Sequence, residues 1–490
     1  MYFVVIYGKV LVFLHPIMIT YNMKANRIVP YIAVLITALG IWTFFQFAYE
    51  YSFYYKEQNQ LFLLSADYVS TYFDKPAWAA CLAGDYVTQY FYYMYAGAAI
   101  LAVLILLLGL TTFASLRLSR VNRWVALTIS IAIMAAETSF NFNHDFRLSS
   151  MLCVQGGILV FLIHGIVLNR PLIFRIVSIA LLGVTCLWMF SFGIVAFVAL
   201  VTISEIMLSI RKAGNRCCSV IHALIFIVTG IVLVCLTDTY PGLGSFSRPQ
   251  QDLEDYLEIE NLYYFGRYDE LIEKVKSMPK PTEEASFYYY LVKAKRGELA
   301  HTLRSVNPVN LGTLYQIGPK STNIEIKMVG ELYFALGDMT LAEREALLSC
   351  VFSHNNRNVS MIKRLAEANL VAGDHPAAMK YLRLLDKTIA YRKWATANRP
   401  GKLNPKLADL KRYAIKHDTI RVGTNCRDIL ENLLKSNPRN RMALDYLLCT
   451  DYLVGARDMF INDINKYYIP QYGQPVEPMY RELYKMKNEE

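Results

Sequence analysis

The sequence lacks the short motifs that carry much of known enzyme chemistry. It contains no Walker-type phosphate loop, no GxSxG nucleophile elbow and no HExxH zinc helix. Its nine cysteines include no CxxC pair and no spacing typical of a zinc site. Cys426 and Cys449 would form a disulfide only if the fold brings them together. We therefore predict no cofactor and no disulfide framework.

The sequence also lacks a concentrated basic region. Its formal net charge is +10, from 50 Lys and Arg against 40 Asp and Glu. Up to Asp238 the chain has 14 basic and 9 acidic residues, and the remainder has 36 and 31. A nucleic-acid-binding domain normally gathers its positive charge on one face or helix, whereas here the signs are interspersed. Nucleic acid is therefore not an expected partner.

Long apolar runs fill the first half of the chain. Hydrophobic residues make up 54% of the whole sequence, and a run of about 20 such residues is long enough to cross a bilayer as a helix. The lipid bilayer is the first predicted partner. We predict seven spans in a transmembrane domain at 23–238, namely 28–49, 92–116, 124–140, 148–168, 171–190, 191–210 and 218–236.

Residues 1–22 form an apolar leader that fits neither a signal peptide nor a regular span. Lys9, His15 and Pro16 interrupt it, and it has no small-residue cleavage site. Basic residues just before the first regular span favour a translation start at Met23. An additional span, with the start at Met1 or Met18, is the alternative.

Loop charges predict the orientation of the spans. Ten basic residues fall on one side of the membrane: Lys24, Arg27, Arg117, Arg120, Arg123, Arg170, Arg175, Arg211, Lys212 and Arg216. Three fall on the other side: Lys56, Lys75 and Arg147. Short loops rich in Lys and Arg stay in the cytoplasm. We therefore predict a multi-pass protein of a bacterial inner membrane, with a cytoplasmic N-terminus of the first span and a periplasmic C-terminal domain.

The outer loop at 50–90 has the pattern of two amphipathic helices. Apolar residues recur at helical spacing through Leu61, Leu64 and Tyr68, and Pro76 interrupts the pattern. A second amphipathic stretch follows at 78–90. Two helices lying in the headgroup plane are the expected structure.

The second half reads as a helical-repeat domain. After a Pro-, Gly- and Ser-rich linker at 239–252, helix–turn–helix patterns recur around Gly266, Gly337 and Gly373, which are 71 and 36 residues apart. A fourth helix pair is expected at 436–464. The predicted fold class is all-α, a polytopic membrane domain followed by a tetratricopeptide-like (TPR-like) α-solenoid at 253–490. Such a solenoid presents a concave face for a protein or peptide partner. A structural lid over the membrane domain is the alternative role.

Several phrases resemble a known family. They are KEQNQLFLLSADY, GDYVTQYFYY, RLAEANLVAGDHPAAMKYLRLLDKT, AYRKWA and NPRNRMALDYLL. The chain is similar to uncharacterised polytopic inner-membrane proteins of bacteroidete-type bacteria, which are grouped as a domain of unknown function. The resemblance extends over nearly the whole chain from Met23. It implies an envelope protein with a helical-repeat C-terminal half and brings no activity with it.

The membrane half also resembles GT-C glycosyltransferases in its layout. Glu50 just after the first span and Asp145 in the outer loop between the third and fourth spans match the acidic positions of those enzymes, and FDKPAW matches one of their loop phrases. The resemblance implies a catalytic carboxylate, a divalent metal, and Lys75 or Arg147 facing a polyprenyl-linked phosphate. The competing interpretation is that carboxylates gather at span ends because water is there.

Glu205 is the acidic residue inside the sixth predicted span. An ionisable residue within a span is costly in lipid. We expect it to reach the Arg211–Lys212 region. The leading interpretation of the whole chain is non-enzymatic: an inner-membrane protein that presents a periplasmic TPR-like solenoid for protein interaction or envelope assembly. A lipid-linked-sugar glycosyltransferase is the alternative.

Overall fold

A computed structural model describes residues 28–211, 216–305, 321–353, 356–401, 403–415 and 425–486. The leader at 1–22 and the expected start at Met23 lie outside the described residues. Every regular element in the described residues is a helix, which confirms the all-α class. The chain forms two compact units. The first unit comprises Met1–Lys56 and Ser65–Gln250, and the second unit comprises Glu57–Leu64 and Gln251–Glu490.

The first unit is built from long apolar helices. Among the described residues, five helical stretches are long and apolar enough to cross a membrane: Ile28–Ala48, Ala96–Leu118, Arg123–Asn141, Leu148–Val167 and Leu172–Ile210. A shorter apolar helix covers His222–Cys235. The helices of this part are α1 (Ile28–Ala48), α2 (Tyr51–Gln58), α3 (Ala66–Phe73), α4 (Trp78–Thr88), α5 (Ala96–Leu118), α6 (Arg123–Asn141), α7 (Leu148–His164), α8 (Leu172–Phe190), α9 (Ile194–Arg211) and α10 (Arg216–Cys235). These findings indicate a membrane protein, and the count of seven spans stays a prediction.

The fifth apolar stretch reverses direction near its middle. Ser191 has a positive φ of 42°, and a short 3₁₀ turn over Ser191–Gly193 separates α8 from α9. Arg175, near the start of α8, donates to both carboxylate oxygens of Glu205, near the end of α9, at 2.7 and 2.6 Å. Glu205 is therefore paired with Arg175. The Arg211–Lys212 region that we expected it to reach lies outside the residues whose side chains the structure describes. The pair joins the far ends of an antiparallel helix pair.

Close backbone contact joins this turn to α7. A Cβ atom on Gly157 would lie 1.9 Å from the carbonyl oxygen of Gly193, an atom that has no freedom to move away. We expect Gly157→Ala to reduce the yield of folded, monodisperse protein several-fold in detergent, because the backbone must shift. The matched control is Gly40→Ala, since nothing lies within 4 Å of a Cβ at Gly40. Equal yields and equal melting temperatures for the two variants would contradict this packing.

The outer loop is only partly as predicted. Pro76 separates α3 from α4, as the pattern indicated, and the second helix begins at Trp78. Leu61 and Leu64, by contrast, belong to a non-helical stretch at 60–64. The prediction of a helix through these two residues was wrong. The two residues between them, Phe62 and Leu63, are buried in the second unit, at 3% and 8% exposure.

The second unit is a succession of helix pairs. Consecutive helices pack against each other, most extensively from α15 to α18. Its helices are α11 (Gln251–Tyr264), α12 (Tyr268–Ser277), α13 (Glu283–Lys295), α14 (Leu299–Ser305), α15 (Asn323–Leu336), α16 (Met339–Phe352), α17 (Val359–Ala372), α18 (His375–Leu385), α19 (Arg392–Ala397), α20 (Pro405–Tyr413), α21 (Cys426–Ser436), α22 (Arg441–Leu453), α23 (Arg457–Asp463), α24 (Ile469–Tyr472) and α25 (Pro478–Met486). The fourth predicted pair is present as α22 and α23.

Glycine makes the turns of these pairs. Gly266, Gly337 and Gly373 have φ of +75°, +87° and +87°, a conformation that side chains with a Cβ rarely adopt. The sequence prediction of turns at these three positions is therefore confirmed. Gly297 and Gly455 make equivalent turns at φ +71° and +76°, and the sequence analysis did not single them out.

The last helices pack back on earlier ones. Helix α20 contacts α17, and α22 contacts both α13 and α14. The side chain of Asn440 donates to the carbonyl oxygens of Leu336 and Tyr413, at 2.7 and 3.2 Å. Cys426 and Cys449, which could have formed a disulfide, are both free thiols. The second unit is thus held together by long-range helix contacts and not by a bond between these two cysteines.

Candidate functional site

The second unit holds a segment that reaches it from the first half of the sequence. Residues 57–64, here called the strap, comprise the last two residues of α2 and an irregular stretch. Gln58 is 2% exposed and donates from its amide to Asn261 of α11 at 3.1 Å. Asn59 accepts from the amide of Asn358 at 2.8 Å. Side-chain amides of the second unit therefore form hydrogen bonds with the polar half of the strap.

Backbone bonds hold the apolar half of the strap. The carbonyl oxygen of Gln60 accepts from the amide of Val359, the first residue of α17, at 3.2 Å. The amide of Leu64 donates to the carbonyl oxygen of Lys387, just after α18, at 2.7 Å. Phe62 and Leu63 between them are buried. Main-chain bonds that give affinity and pockets that take side chains are the features of a bound extended peptide.

Asn358 links the strap to the helix framework. Its side chain is fully buried and its Oδ1 accepts from the amide of Met361, which caps the N-terminus of α17. Its Nδ2 donates to Asn59 and to the hydroxyl of Ser353 at 3.0 Å. The side chain of Asn358 thus caps the N-terminus of α17 and hydrogen-bonds to a strap residue at the same time.

Glu57 is a buried carboxyl group at the start of the strap. It is 4% exposed, and the hydroxyl of Tyr391 donates to it at 3.0 Å. Burial raises its pKa to about 8, and the bond from Tyr391 opposes part of that shift. Glu57 therefore keeps its proton at neutral pH, which suits a carboxyl group that is taken out of water without a cation beside it.

Glu57 makes the stability of the second unit depend on pH. The carboxyl group ionises near 4.5 when unfolded and near 8 when folded, so its stabilising contribution is complete below 4.5 and is lost as the pH rises through 8. Glu57→Gln keeps the bond from Tyr391 and cannot ionise. We expect the variant to be more stable than the wild type at pH 8 by about 4 kcal/mol and equal to it at pH 4. Thermal unfolding at both pH values measures this, and parallel pH profiles would contradict it.

The interior of the second unit carries a buried ion network. Arg364 of α17 donates through Nε and Nη2 to the carboxylate of Glu331 of α15, at 2.9 and 2.7 Å. It also pairs with Glu367, and its guanidinium lies 3.8 Å from the ring centroid of Phe334. Burial alone would raise the pKa of Glu367, but Arg364 and Lys363 hold it below its ordinary value. The network fixes α15 against α17, the helix whose N-terminus holds the strap.

In the first unit, two of the predicted site residues share one environment. Burial and Asp85 raise the pKa of the Cys81 thiol to about 12. The positive charges of Lys75 and Arg147 both oppose this shift. Lys75 lies 5.4 Å from the ring centroid of Tyr72. The hydroxyl of Tyr72 donates to Asp85 at 2.7 Å.

Arg147 lies within hydrogen-bonding reach of Tyr240, whose pKa is raised chiefly by burial and lowered again by Arg147. Cys81 and Asp85 also raise the pKa of Tyr240. Lys75, Arg147, Asp85, Tyr72 and Tyr240 therefore form one cluster around Cys81, here called the Lys75–Arg147 cluster. Its two cations were predicted site residues, whereas its carboxylate, Asp85, was not predicted.

The two predicted catalytic carboxylates have different surroundings. Glu50 accepts from the amide of Gln46 at 3.0 Å. Together with residues such as Phe53 and Tyr95, it lines a narrow cleft. The volume of this cleft is about 10 Å³, which is room for a single water molecule. Asp145 is 77% exposed, and its side chain lies 3.6 Å from the ring of the adjacent His144.

His144 connects Asp145 to a small polar group. Its ring packs edge-on against Tyr55 at 5.2 Å, and Lys56 nearby donates to the side chain of Asn141 at 3.3 Å. Burial and the charge of Lys56 lower the pKa of His144, and Asp145 opposes the shift. At neutral pH this histidine is therefore a neutral ring beside an exposed carboxylate.

A divalent metal was implied by the glycosyltransferase resemblance. Within the described ranges, no three or more His, Cys, Asp or Glu side chains are grouped so that they could hold a metal ion. The Lys75–Arg147 cluster contributes one carboxylate, Asp85, beside two cations. This donor set suits an anion better than a metal ion, because hard cations prefer several oxygen ligands.

Comparison with known proteins identifies the family and no activity. The chain matches none of the curated proteins and none of the solved structures. A family model matches residues 24–249 and again 238–484, so that nearly all of the chain after its first residues is covered. The chain therefore belongs to the family of unknown function DUF6057.

Proposed function

We propose that this chain is a multi-pass protein of a bacterial inner membrane whose second unit is a TPR-like recognition module for extended protein segments in the periplasm. The single observation that carries the proposal is the strap. A stretch of chain from outside the helical repeats is held by side-chain amides, by two backbone bonds and by burial of Phe62 and Leu63. A module that binds its own segment in this way has the chemistry to bind a partner's segment.

Peptide binding tests the recognition role. In the full chain, residues 57–64 are replaced by eight alternating Gly and Ser residues, and a synthetic peptide KEQNQLFLLS is added. We expect saturable one-to-one binding of this peptide and no binding of a scrambled peptide of the same composition. Circular dichroism establishes that the replaced chain is folded. Equal binding of both peptides, or of neither to the folded chain, would count against recognition.

The solenoid is proposed on the basis of the helix pairs. Four successive turns with a left-handed glycine, at Gly266, Gly297, Gly337 and Gly373, join helices that pack on the pair before and after. This is the construction of a helical-repeat array. The contact of α22 with α13 and α14 adds a return of the last helices onto the array.

The seven spans and the orientation are proposed on the basis of the loop charges and the reversal at Ser191. If α8, α9 and α10 each cross the membrane once, the chain has seven spans, because α1, α5, α6 and α7 supply the other four. Ten basic residues on one side against three on the other then place Glu490 in the periplasm. A reporter fused at Glu490 that is active only in the periplasm tests this. Cytoplasmic activity of the fusion would reverse the orientation.

A second candidate function is favoured by the Lys75–Arg147 cluster. Two cations, two tyrosines and a carboxylate gathered in one place could bind a lipid-linked phosphate sugar, as a GT-C-like glycosyltransferase would require. In this version Asp85, rather than Glu50 or Asp145, is the carboxylate beside the cations. Asp85→Asn compared with the exposed Asp145→Asn in a complementation assay tests it. Equal phenotypes for the two variants argue against an enzyme site at the cluster.

A further inference from the structure

The second unit contains a cavity that the strap does not use. The cavity lies between the end of α12, the loop that follows it, α13 and α14, and its volume is about 730 Å³. Small-molecule sites in proteins commonly measure about 300–1,000 Å³. The cavity is therefore large enough for a compact organic molecule or the end of a peptide.

The floor of the cavity is apolar and aromatic. Val275, Met278 and Pro281 line it together with the rings of Tyr289 and Tyr290. The two rings meet edge to face with centroids 5.5 Å apart, and they are 6% and 1% exposed. A floor of this kind takes a flat or aliphatic body and excludes water from it.

The lining of the cavity also carries hydrogen-bond donors. Tyr289 and Tyr290 each contribute a hydroxyl group as well as a ring to the lining residues. Burial, with a smaller effect of Tyr289, raises the pKa of Tyr290 to about 12, so its hydroxyl is a donor at neutral pH. Tyrosine hydroxyls in buried positions normally find a partner. The two groups therefore provide donors for an acceptor on a ligand.

The rim of the cavity is positively charged. Lys276, Lys293 and His301 line it against the single carboxylate of Glu298. Lys293 is 14% exposed and pairs with Glu298, which is 45% exposed, at 2.6 Å. An incoming carboxylate can compete with Glu298 for Lys293, because Glu298 is already partly in solvent. Lys276 adds a second cation at the rim.

We propose that this cavity binds a carboxylate carried on an aromatic or aliphatic body. The body lies on the tyrosine floor, and the carboxylate is bound by Lys293 and Lys276. Two sources supply this chemistry, a free organic acid and the C-terminus of a peptide that ends in an apolar residue. The site is independent of the strap, since none of its lining residues contacts residues 57–64 in the bonds described above.

Calorimetry on the full chain in detergent tests the proposal. The probes are 4-phenylbutyrate as the free acid, N-acetyl-glycyl-phenylalanine as the peptide terminus, and 4-phenylbutyramide as the uncharged control. We expect saturable binding of at least one acid and at least ten-fold weaker binding of the amide. Tighter binding of 4-phenylbutyrate identifies a free acid as the ligand type, and tighter binding of the dipeptide identifies a peptide terminus.

Two variants assign the binding to the cavity. Lys276→Gln with Lys293→Gln is expected to weaken binding of the acid at least ten-fold, and Tyr290→Phe to weaken it two- to five-fold. Tyr290→Phe removes one oxygen atom and keeps the ring, so it preserves the floor if the double variant does not fold. Partition into detergent is identical for all variants and is subtracted. Binding of the amide as tight as that of the acids, no saturable binding of either acid, or full affinity in a folded variant that lacks both lysines overturns the proposal.

Discussion

Replacing Arg364 by Met is expected to destabilise the second unit by about 3–5 kcal/mol. Arg364, Glu331 and Glu367 are 14%, 9% and 10% exposed, so removing the guanidinium takes away the cation that pairs with both buried carboxylates. Lys363, 3.5 Å from Glu367, and the nearby Lys295 compensate them only in part. Met retains the length of the side chain and its packing on Phe334. Amide hydrogen exchange in α15 and α17 of the full chain measures the loss, since the slowest amides report the free energy of opening.

The control for Arg364 removes the charges on both sides. Arg364→Met combined with Glu331→Gln and Glu367→Gln leaves neutral groups of nearly the same volume, and replacing a buried ion network in this way is often neutral. We expect the triple variant to recover most of the lost stability. A triple variant that is as unstable as Arg364→Met would show that packing of the guanidinium, and not its charge, stabilises this region.

Phe62→Asp is expected to release the strap from the second unit. Phe62 is 3% exposed, so the substitution both removes a buried ring, worth about 3–5 kcal/mol in protein cores, and places a charge where there was apolar contact. The matched control is Leu64→Asp in the same segment, because Leu64 is 49% exposed and its backbone bond to Lys387 does not involve the side chain. Limited proteolysis followed by mass spectrometry reads the result.

We expect cleavage at 57–64 in Phe62→Asp and not in Leu64→Asp or the wild type. Cleavage at the same rate in both variants would mean that the buried ring of Phe62 holds the strap no more than the exposed side chain of Leu64 does, which would contradict the proposed role of Phe62. Protection in both would mean that Phe62 contributes little to holding it.

The local features of the second unit could be predicted from the sequence. A left-handed turn between two helices needs a residue without a Cβ, so Gly266, Gly337 and Gly373 mark their turns directly. Gly297 and Gly455 make the same turns.

The strap was not predictable from local pattern. Leu61, Leu64 and Tyr68 have the spacing of a helix face, and only the third lies in a helix. The forces that decide the structure of 57–64 come from Asn358 and Tyr391, about 300 residues further along the chain. Periodicity contains no information on contacts of that range. An unusual run of side-chain amides, Gln58 to Gln60, is the signal that indicates bonding in this segment.

In the first unit, too, some candidate residues could be predicted from the sequence and others depend on packing between helices. Lys75 and Arg147 were chosen for their charge and their position in the outer loops, and both act on Cys81. Asp85 was not chosen, because a carboxylate inside a short helix resembles an ordinary surface residue. Its role in the cluster depends on the packing of α4 against α7, where Gly84 lets the backbone approach Ser149.

Hydrogen exchange of the strap in the unmodified full chain tests the central claim most directly. If residues 57–64 are bound as a peptide by the second unit, the amide of Leu64, which donates to Lys387, exchanges at least a hundred-fold more slowly than in the free peptide KEQNQLFLLS. The amides near the N-terminus of α17 show similar protection. Exchange of the strap at the rate of the free peptide, with α17 still protected, would contradict the account.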